Sequence, residues 1–264
     1  MKKKNSERPE NSGLLYGVNP LLEALRAGDR IPVEIVIAEG ARDHRLSELV
    51  ELARSKNVAV RRSPRGALDR AVGNANHQGV IARIPAARYA DADMLLDSIA
   101  AQVGSETEPL ALVLDGVEDP RNLGAILRTA ECAGVDGVFM PERRAAGLSE
   151  TVAKASAGAI EHVPAARVTN LSRLIDELKG RNVWVIGTAA DAVTDYTEWD
   201  WTKPSAVVLG GEGAGLHRLV REHCDVLVRI PVQGRIESLN VSVAAGVILF
   251  EALRQRKIGS TTQK

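Results

Sequence analysis

Residues 205–255 concentrate the groups that could do chemistry in this 264-residue chain. Gly210, Gly211, Gly213 and Gly215 crowd one loop around the carboxylate of Glu212, and Ser238 and Asn240 close a second. Glycine leaves backbone N–H groups bare, so the first loop suits close approach of a ligand. Apolar runs at 206–209 and 226–230 precede the two loops and read as strands, and a helical pattern follows each. Polar side chains at strand ends are where α/β folds keep their chemistry.

Three familiar chemistries fail on these residues. A phosphate-binding loop closes on Gly-Lys-Ser/Thr, but here Gly213-Ala214-Gly215-Leu216 stands there. A dinucleotide fingerprint needs a third glycine where Leu216 sits. A hydrolase built on Ser238 lacks G-x-S-x-G and a histidine nearby in sequence. The five histidines form no ligand spacing, so no metal is expected. What remains is Glu212, the Ser238/Asn240 pair and an upstream pair, Asn122 and Arg128. With Asn122 as a helix N-cap, Arg128 lies about one and a half turns further on. The two would then flank an anion at the positive helix end. Ser238 and Asn240 have a second reading, as caps of the apolar helix over 241–254.

The elements that must position these groups fall into two blocks. In the first, Asn19-Pro20 reads as an N-cap followed by proline at the first helical position, with a stop at Gly28. Strands follow at 33–38, 58–60 and 80–84, a helix at 46–55, and a basic turn at 61–65 before another helix. Residues 74–79, Asn-Ala-Asn-His-Gln-Gly, form a polar loop suited to reading RNA base edges and 2′-hydroxyls, or simply a turn. With only Tyr16 and Tyr89 available, base stacking is not the main mode of binding. Residues 85–107 read as a linker with a short helix at 91–102. From residue 110, strands and helices alternate: strands at 110–114, 138–140, 163–168 and 183–187, helices at 122–134, 150–159 and 171–179. That alternation predicts a mostly parallel sheet covered on both faces. The expected division is a tail over 1–13, a small α/β domain over 14–88, a linker over 89–107, a catalytic domain over 108–258 and a tail over 259–264.

Composition narrows the class. Hydrophobic residues make up 45% of the chain and aromatics only 3%, so the core must be aliphatic. No apolar run is long enough to span a membrane, and the basic N-terminal stretch lacks the apolar run of a signal peptide. Cys132 and Cys224 form no metal or redox spacing and read as buried thiols of a reducing, cytoplasmic setting. Net charge is zero, but residues 1–89 carry 16 Lys/Arg against 10 Asp/Glu, and the remainder has the opposite excess. A basic first part suggests an anionic partner.

At these residues the chain resembles the SpoU/TrmH-type branch of the SPOUT RNA methyltransferases. Asn122-Leu123-Gly124-Ala125-Ile126-Leu127-Arg128, then 209–216, then Ile230-Pro231 through Ser238-Leu239-Asn240-Val241-Ser242 match its three motifs in order. Tyr16–Pro20 and His77-Gln78-Gly79 are similar to the RlmB-like subfamily, which methylates a guanosine ribose in 23S ribosomal RNA. The resemblance implies a trefoil-knotted α/β catalytic domain behind a small RNA-binding domain like ribosomal protein L30e. It implies S-adenosylmethionine held by Gly210, Gly211, Ile230 and Leu239, largely through backbone groups. It implies a homodimer, and a catalytic set of Asn122, Arg128, Glu212, Ser238 and Asn240. The expected substrate is 23S ribosomal RNA or a large-subunit assembly intermediate. Alternatives are the same chemistry on a transfer RNA ribose and a non-catalytic ribosome-assembly factor. Guanidinium rarely yields its proton, so Arg128 is expected to act by charge rather than as a base.

Overall fold

The computed structural model describes residues 12–28, 31–41, 44–73, 75–85, 88–213, 215–235 and 238–262. The chain divides into two compact units, residues 1–87 and 88–264.

In the first unit, β1 (Ser12–Tyr16), β2 (Glu34–Ala38), β3 (Ala59–Ser63) and β4 (Val80–Pro85) form one sheet in the order β1-β4-β2-β3. Only the β2–β3 pairing is parallel. The pleat sends alternate residues to opposite faces. Val36 and Ala38 pack with Ile81 and with Leu68 of α3 (Arg65–Ala71), while Ile35 and Ile37 are buried on the other face; α1 (Val18–Ala27) and α2 (His44–Ser55) pack against each other. Helix α1 begins one residue before Asn19. Its N-cap is Gly17, and the Val18 N–H donates to Gln78 Oε1 at 3.1 Å. The expected cap at Asn19 is therefore replaced by a side chain from a distant loop. Gly28 does end the helix, in the left-handed conformation.

That loop is less open to RNA than its composition suggests. His77 is 1% exposed, and its Nδ1 accepts the Gly79 N–H at 3.0 Å. Nε2 must then carry the hydrogen it donates to Asp69 at 2.9 Å. His77 is committed inside the fold and Gln78 through its Oε1, while Asn76 and Gln78 stand exposed and Asn74 lies outside the described residues.

In the second unit the strands are β5 (Leu110–Asp115), β6 (Gly137–Pro141), β7 (Ala165–Val168), β8 (Trp184–Thr188), β9 (Thr194–Asp195), β10 (Ser205–Gly210) and β11 (Val226–Arg229). They form a seven-stranded sheet in the order β7-β6-β5-β10-β8-β11-β9, with every pairing parallel. Both faces are covered, which is why the strands read as unbroken apolar runs. Leu110, Leu112 and Leu114 pack with α5 (Pro120–Ala133) and α9 (Val241–Thr262), and Ala111 and Val113 with α4 (Ala92–Ala100) and α7 (Leu171–Gly180).

Helix α4 corrects the expected linker. Leu95, Leu96 and Ile99 are buried beside Phe139 and Ala166, so this stretch belongs to the core of the second unit. Burying such side chains contributes about 1.5–3 kcal/mol each. The helix expected over 150–159 instead ends as α6 (Glu150–Ala155), because Ala157 and Gly158 take positive φ and a 3₁₀ turn follows at Ala159–Glu161.

Helix α9 is fixed at its far end by one side chain. The guanidinium of Arg256 donates to the carbonyls of Glu108, Pro109, Trp201 and Lys203, which sit just before β5 and β10. Burial draws its pKa below the ordinary guanidinium value.

Candidate active site

A parallel sheet gathers the carboxyl ends of its strands along one edge, and the crevice there is where such folds bind ligands. A cleft of about 580 Å³ opens at that edge. It is lined by residues following β8 (Thr188 to Asp191), β10 (Gly210 to Leu216) and β11 (Ile230, Val232), and by the start of α9 with Ser238, Leu239 and Asn240 before it.

Two glycines of the β10 loop are obligatory on steric grounds. A Cβ on Gly210 would lie 2.1 Å from the carbonyl carbon of Gly215, and one on Gly211 would lie 2.0 Å from the Gly116 carbonyl oxygen. The loop folds back on itself through a Gly211–Gly215 bridge and presses against the turn after β5. Asp115 pins both ends of it. The Gly211 N–H donates to the Asp115 carbonyl at 2.7 Å. The Asp115 carboxylate, 6% exposed, accepts the His217 N–H at 2.7 Å and His217 Nδ1 at 2.9 Å. Nδ1 therefore carries the ring hydrogen in this contact. Asp115 and His217 were not singled out from sequence, where 115–120 is only a turn.

The three sequence motifs meet in one hydrogen-bonded chain. Asn240 is the residue before α9, and its Oδ1 accepts the Ser242 N–H at 2.9 Å and the Ser242 hydroxyl at 2.6 Å. That cap commits the Asn240 oxygen, so its amide nitrogen faces outward and donates to Asn122 Oδ1 at 3.1 Å. The Asn122 nitrogen then donates to the Glu212 carboxylate. The capping role of Asn240 and its place in the site thus hold together, and the cap sets the polarity of the whole chain. Asn122 itself is not a cap. Asp119 takes that place by accepting the Arg121 N–H at 2.7 Å, Pro120 opens α5, and Asn122 sits within its first turn.

Arg128 is placed differently. It is exposed on α5, does not line the cleft, and makes no hydrogen bond or ion pair among the described residues. The structure therefore gathers Gly210, Gly211, Glu212, Ile230, Ser238, Leu239 and Asn240 around one cleft, joins Asn122 to them, and leaves Arg128 outside. Sequence reasoning also missed a clasp among the lining residues. Arg221 of α8 (Arg218–His223) grips Asp191 with two hydrogen bonds of 2.9 Å, and the guanidinium holds that carboxyl below its usual range.

Neither cysteine belongs to the cleft, and neither is disulfide-bonded. Cys132 is exposed on α5, contrary to the buried thiol expected, because its position falls on the face of α5 opposite Leu127 and Ala130. Cys224 is mostly enclosed, and burial pushes its thiol up to about 12.

Comparison with known proteins places the chain among enzymes. Residues 109–250 match the SpoU rRNA Methylase family, and residues 14–90 match the RNA 2′-O ribose methyltransferase substrate-binding family. The chain belongs to the SpoU/TrmH family of RNA 2′-O-ribose methyltransferases. It is 45% identical to the TrmH family tRNA/rRNA methyltransferase YacO of Bacillus subtilis, over 92% of this chain and 95% of that one. Its fold is similar to that of the SpoU methyltransferase AviRb of Streptomyces viridochromogenes in complex with AdoMet, with TM-score 0.77, 25% identity, and 94% and 92% of the two chains covered. The AdoMet-bound rRNA methyltransferase of Sinorhizobium meliloti is similar too, with TM-score 0.75, 27% identity, and 92% and 87% covered.

Proposed function

We propose that this protein transfers the methyl group of S-adenosylmethionine to the ribose 2′-oxygen of a guanosine in 23S ribosomal RNA. The observation that carries the reading is the chain Glu212–Asn122–Asn240, which unites all three motifs beside a glycine-walled cleft. The cleft is the cofactor site. Gly210, Gly211, Ile230 and Leu239 line it, and they bring backbone groups rather than charge. Two AdoMet-bound relatives share the fold over nearly the whole chain. The ribosomal assignment is supported by the rRNA family match and by a separate RNA substrate-binding unit ahead of the catalytic one.

Bound cofactor supplies an electrophilic methyl carbon on a sulfonium. A ribose hydroxyl is a weak nucleophile, so the residues must place it in line and stabilise the charge it develops as its proton passes to water, the methyl leaving a sulfonium that departs as the neutral thioether. Asn122 and Asn240, held rigid by Glu212 and by the α9 cap, orient the ribose, and Ser238 stands at the same mouth. Arg128 supplies positive charge to the developing oxyanion or the neighbouring phosphate.

Arg128 lies outside its own cleft, and this favours a homodimer in which Arg128 of one subunit serves the other. Helix α9 offers a face for it. Val243 and Phe250 are 51% and 49% exposed, with Val247 between them on the same stripe. An apolar stripe of this kind on a packed helix marks an interaction surface.

The test is transfer of labelled methyl from S-adenosylmethionine to separate pools of large-subunit, small-subunit and transfer RNA, with the product nucleoside identified. Label on a 2′-O-methylguanosine of large-subunit RNA is expected. Label confined to transfer RNA would move the substrate to the other branch of the family. Cofactor binding with no transfer to any pool or to assembling subunits would contradict the enzymatic reading.

A further inference from the structure

We propose that the β3 edge of the first unit, with the end of α2 and with α3, is the surface that grips the RNA sugar–phosphate backbone. The proposal rests on the reading above that the substrate is RNA, and it names the surface that takes it.

The basic excess of the chain is concentrated here. Residues 54–83 contain Arg54, Lys56, Arg61, Arg62, Arg65, Arg70 and Arg83 but only one acidic residue, Asp69. Asp69 is committed to His77. Strand β3 is the outermost of its sheet. Helix α3 covers the middle of the sheet rather than this edge, since Leu68 packs on Val36, Ala38 and Ile81. Alternate residues of a strand point to opposite faces, so Arg61 and Arg62 flank the edge from both sides. Arg54 and Lys56 lie where α2 turns into β3, and Arg65 lies where β3 turns into α3.

Most of the basic side chains at this edge are left without an ionic partner among the described residues, Arg61 being the exception. On α1, Arg26 is held by both Glu23 and Glu48, and on β2, Glu34 holds Arg61. Arg54, Lys56, Arg62, Arg65 and Arg70 are exposed and have no hydrogen-bonded or ionic partner among the described residues. A surface evolved only for solubility mixes signs. Arginines presented as a one-sign track, with planar forks, fit phosphate. Charge alone also keeps an edge strand from pairing with another chain. That simpler role would leave RNA affinity indifferent to these residues, and the test turns on this difference.

The polar loop at 74–79 offers less than its composition suggests, because His77 is buried and Gln78 Oε1 accepts the Val18 N–H. The grip supplied by this edge is electrostatic and tolerant of sequence.

The experiment compares the full-length protein with the triple variant Arg62→Gln/Arg65→Gln/Arg70→Gln. Binding to large-subunit ribosomal RNA and to a polyuridine strand is followed across 50–300 mM potassium chloride. Each phosphate contact on a single strand contributes about 0.7 to the slope of log affinity against log salt. The triple variant should lose about 2 from the slope and bind roughly tenfold or more weakly at low salt. Its KM for RNA should rise more than its kcat falls. Lysine at the three positions should restore most of the slope. Arg26→Gln, at the paired arginine, should leave the slope unchanged. An unchanged cofactor affinity and melting temperature establish that the variants are folded. Wild-type slope and affinity in the triple variant would overturn the proposal. Failure of the functional reading looks different: the unmodified protein would then methylate no RNA, whatever its salt slope.

Discussion

The cleft proposed for the cofactor and the β3 edge proposed for RNA use opposite means. The cleft is made of backbone and packing: Gly210 and Gly211 are held against Gly215 and Gly116 at distances no side chain could share, and Asp115 secures the loop from beneath. Its charged members are paired, Glu212 through Asn122 and Asp191 through Arg221. The β3 edge carries exposed basic side chains, Arg62 on the strand with Arg54, Lys56, Arg65 and Arg70 on the flanking segments, none with an ionic partner among the described residues. A site that must hold one small molecule in one pose is built from parts that cannot move. A surface that must hold a long anion is built from charges that can adapt. The first should be sensitive to a single methyl group and nearly blind to salt, and the second the reverse.

The largest effect should come from breaking the cleft's steric rule. Gly211→Val drives a branched side chain into the Gly116 carbonyl. Calorimetry should find cofactor binding weakened by at least about 100-fold, as expected when the loop backbone lining the cleft is displaced. Next is the hydrogen-bonded chain. Asn240→Ala removes both the amide proposed to orient the ribose and the α9 cap. Steady-state turnover should fall about 10–100-fold, with a stability loss of about 1 kcal/mol from the cap. Arg128→Lys keeps the charge and loses the fork, so kcat should fall roughly tenfold while cofactor affinity stays. Near-normal turnover in that variant would remove any bidentate role.

Smaller effects sharpen the contrast between packed and open parts. Arg256→Met leaves four carbonyls without their donor and should cost about 2 kcal/mol, seen as a melting temperature lower by several degrees. Cys224 and Cys132 should differ in alkylation at pH 8. With its thiol near 12, Cys224 is thiolate in only roughly one molecule in 10⁴ and should be spared, whereas Cys132 is exposed and should react first. Raising pH toward 12 should bring Cys224 into reach. Mass spectrometry of the two peptides reads this directly.

Much of the second unit was legible because parallel strands buried on both faces leave continuous apolar runs, as at 110–114 and 206–209. The helix expected at 91–102 reads as part of a linker over 85–107, because nothing local shows that Leu95, Leu96 and Ile99 meet Phe139. Caps failed in the same way. Asn19 and Asn122 have the right side chains, but Gln78 and Asp119 reached the free N–H groups first. For the site, resemblance brought the motifs together, since spacing cannot show that Glu212 and Asn240 converge on Asn122 from 90 and 118 residues away. His77 misled because composition counts a histidine as polar surface, while its burial depends on Asp69 and Gly79 offering complementary partners.

One measurement tests the division of labour most directly. On the same preparation, the affinities for S-adenosylmethionine and for large-subunit ribosomal RNA are determined from 50 to 500 mM salt. The account predicts a cofactor affinity constant within about twofold and an RNA affinity that falls linearly on logarithmic axes. A cofactor affinity that falls as steeply as that for RNA, or an RNA affinity indifferent to salt, would contradict it.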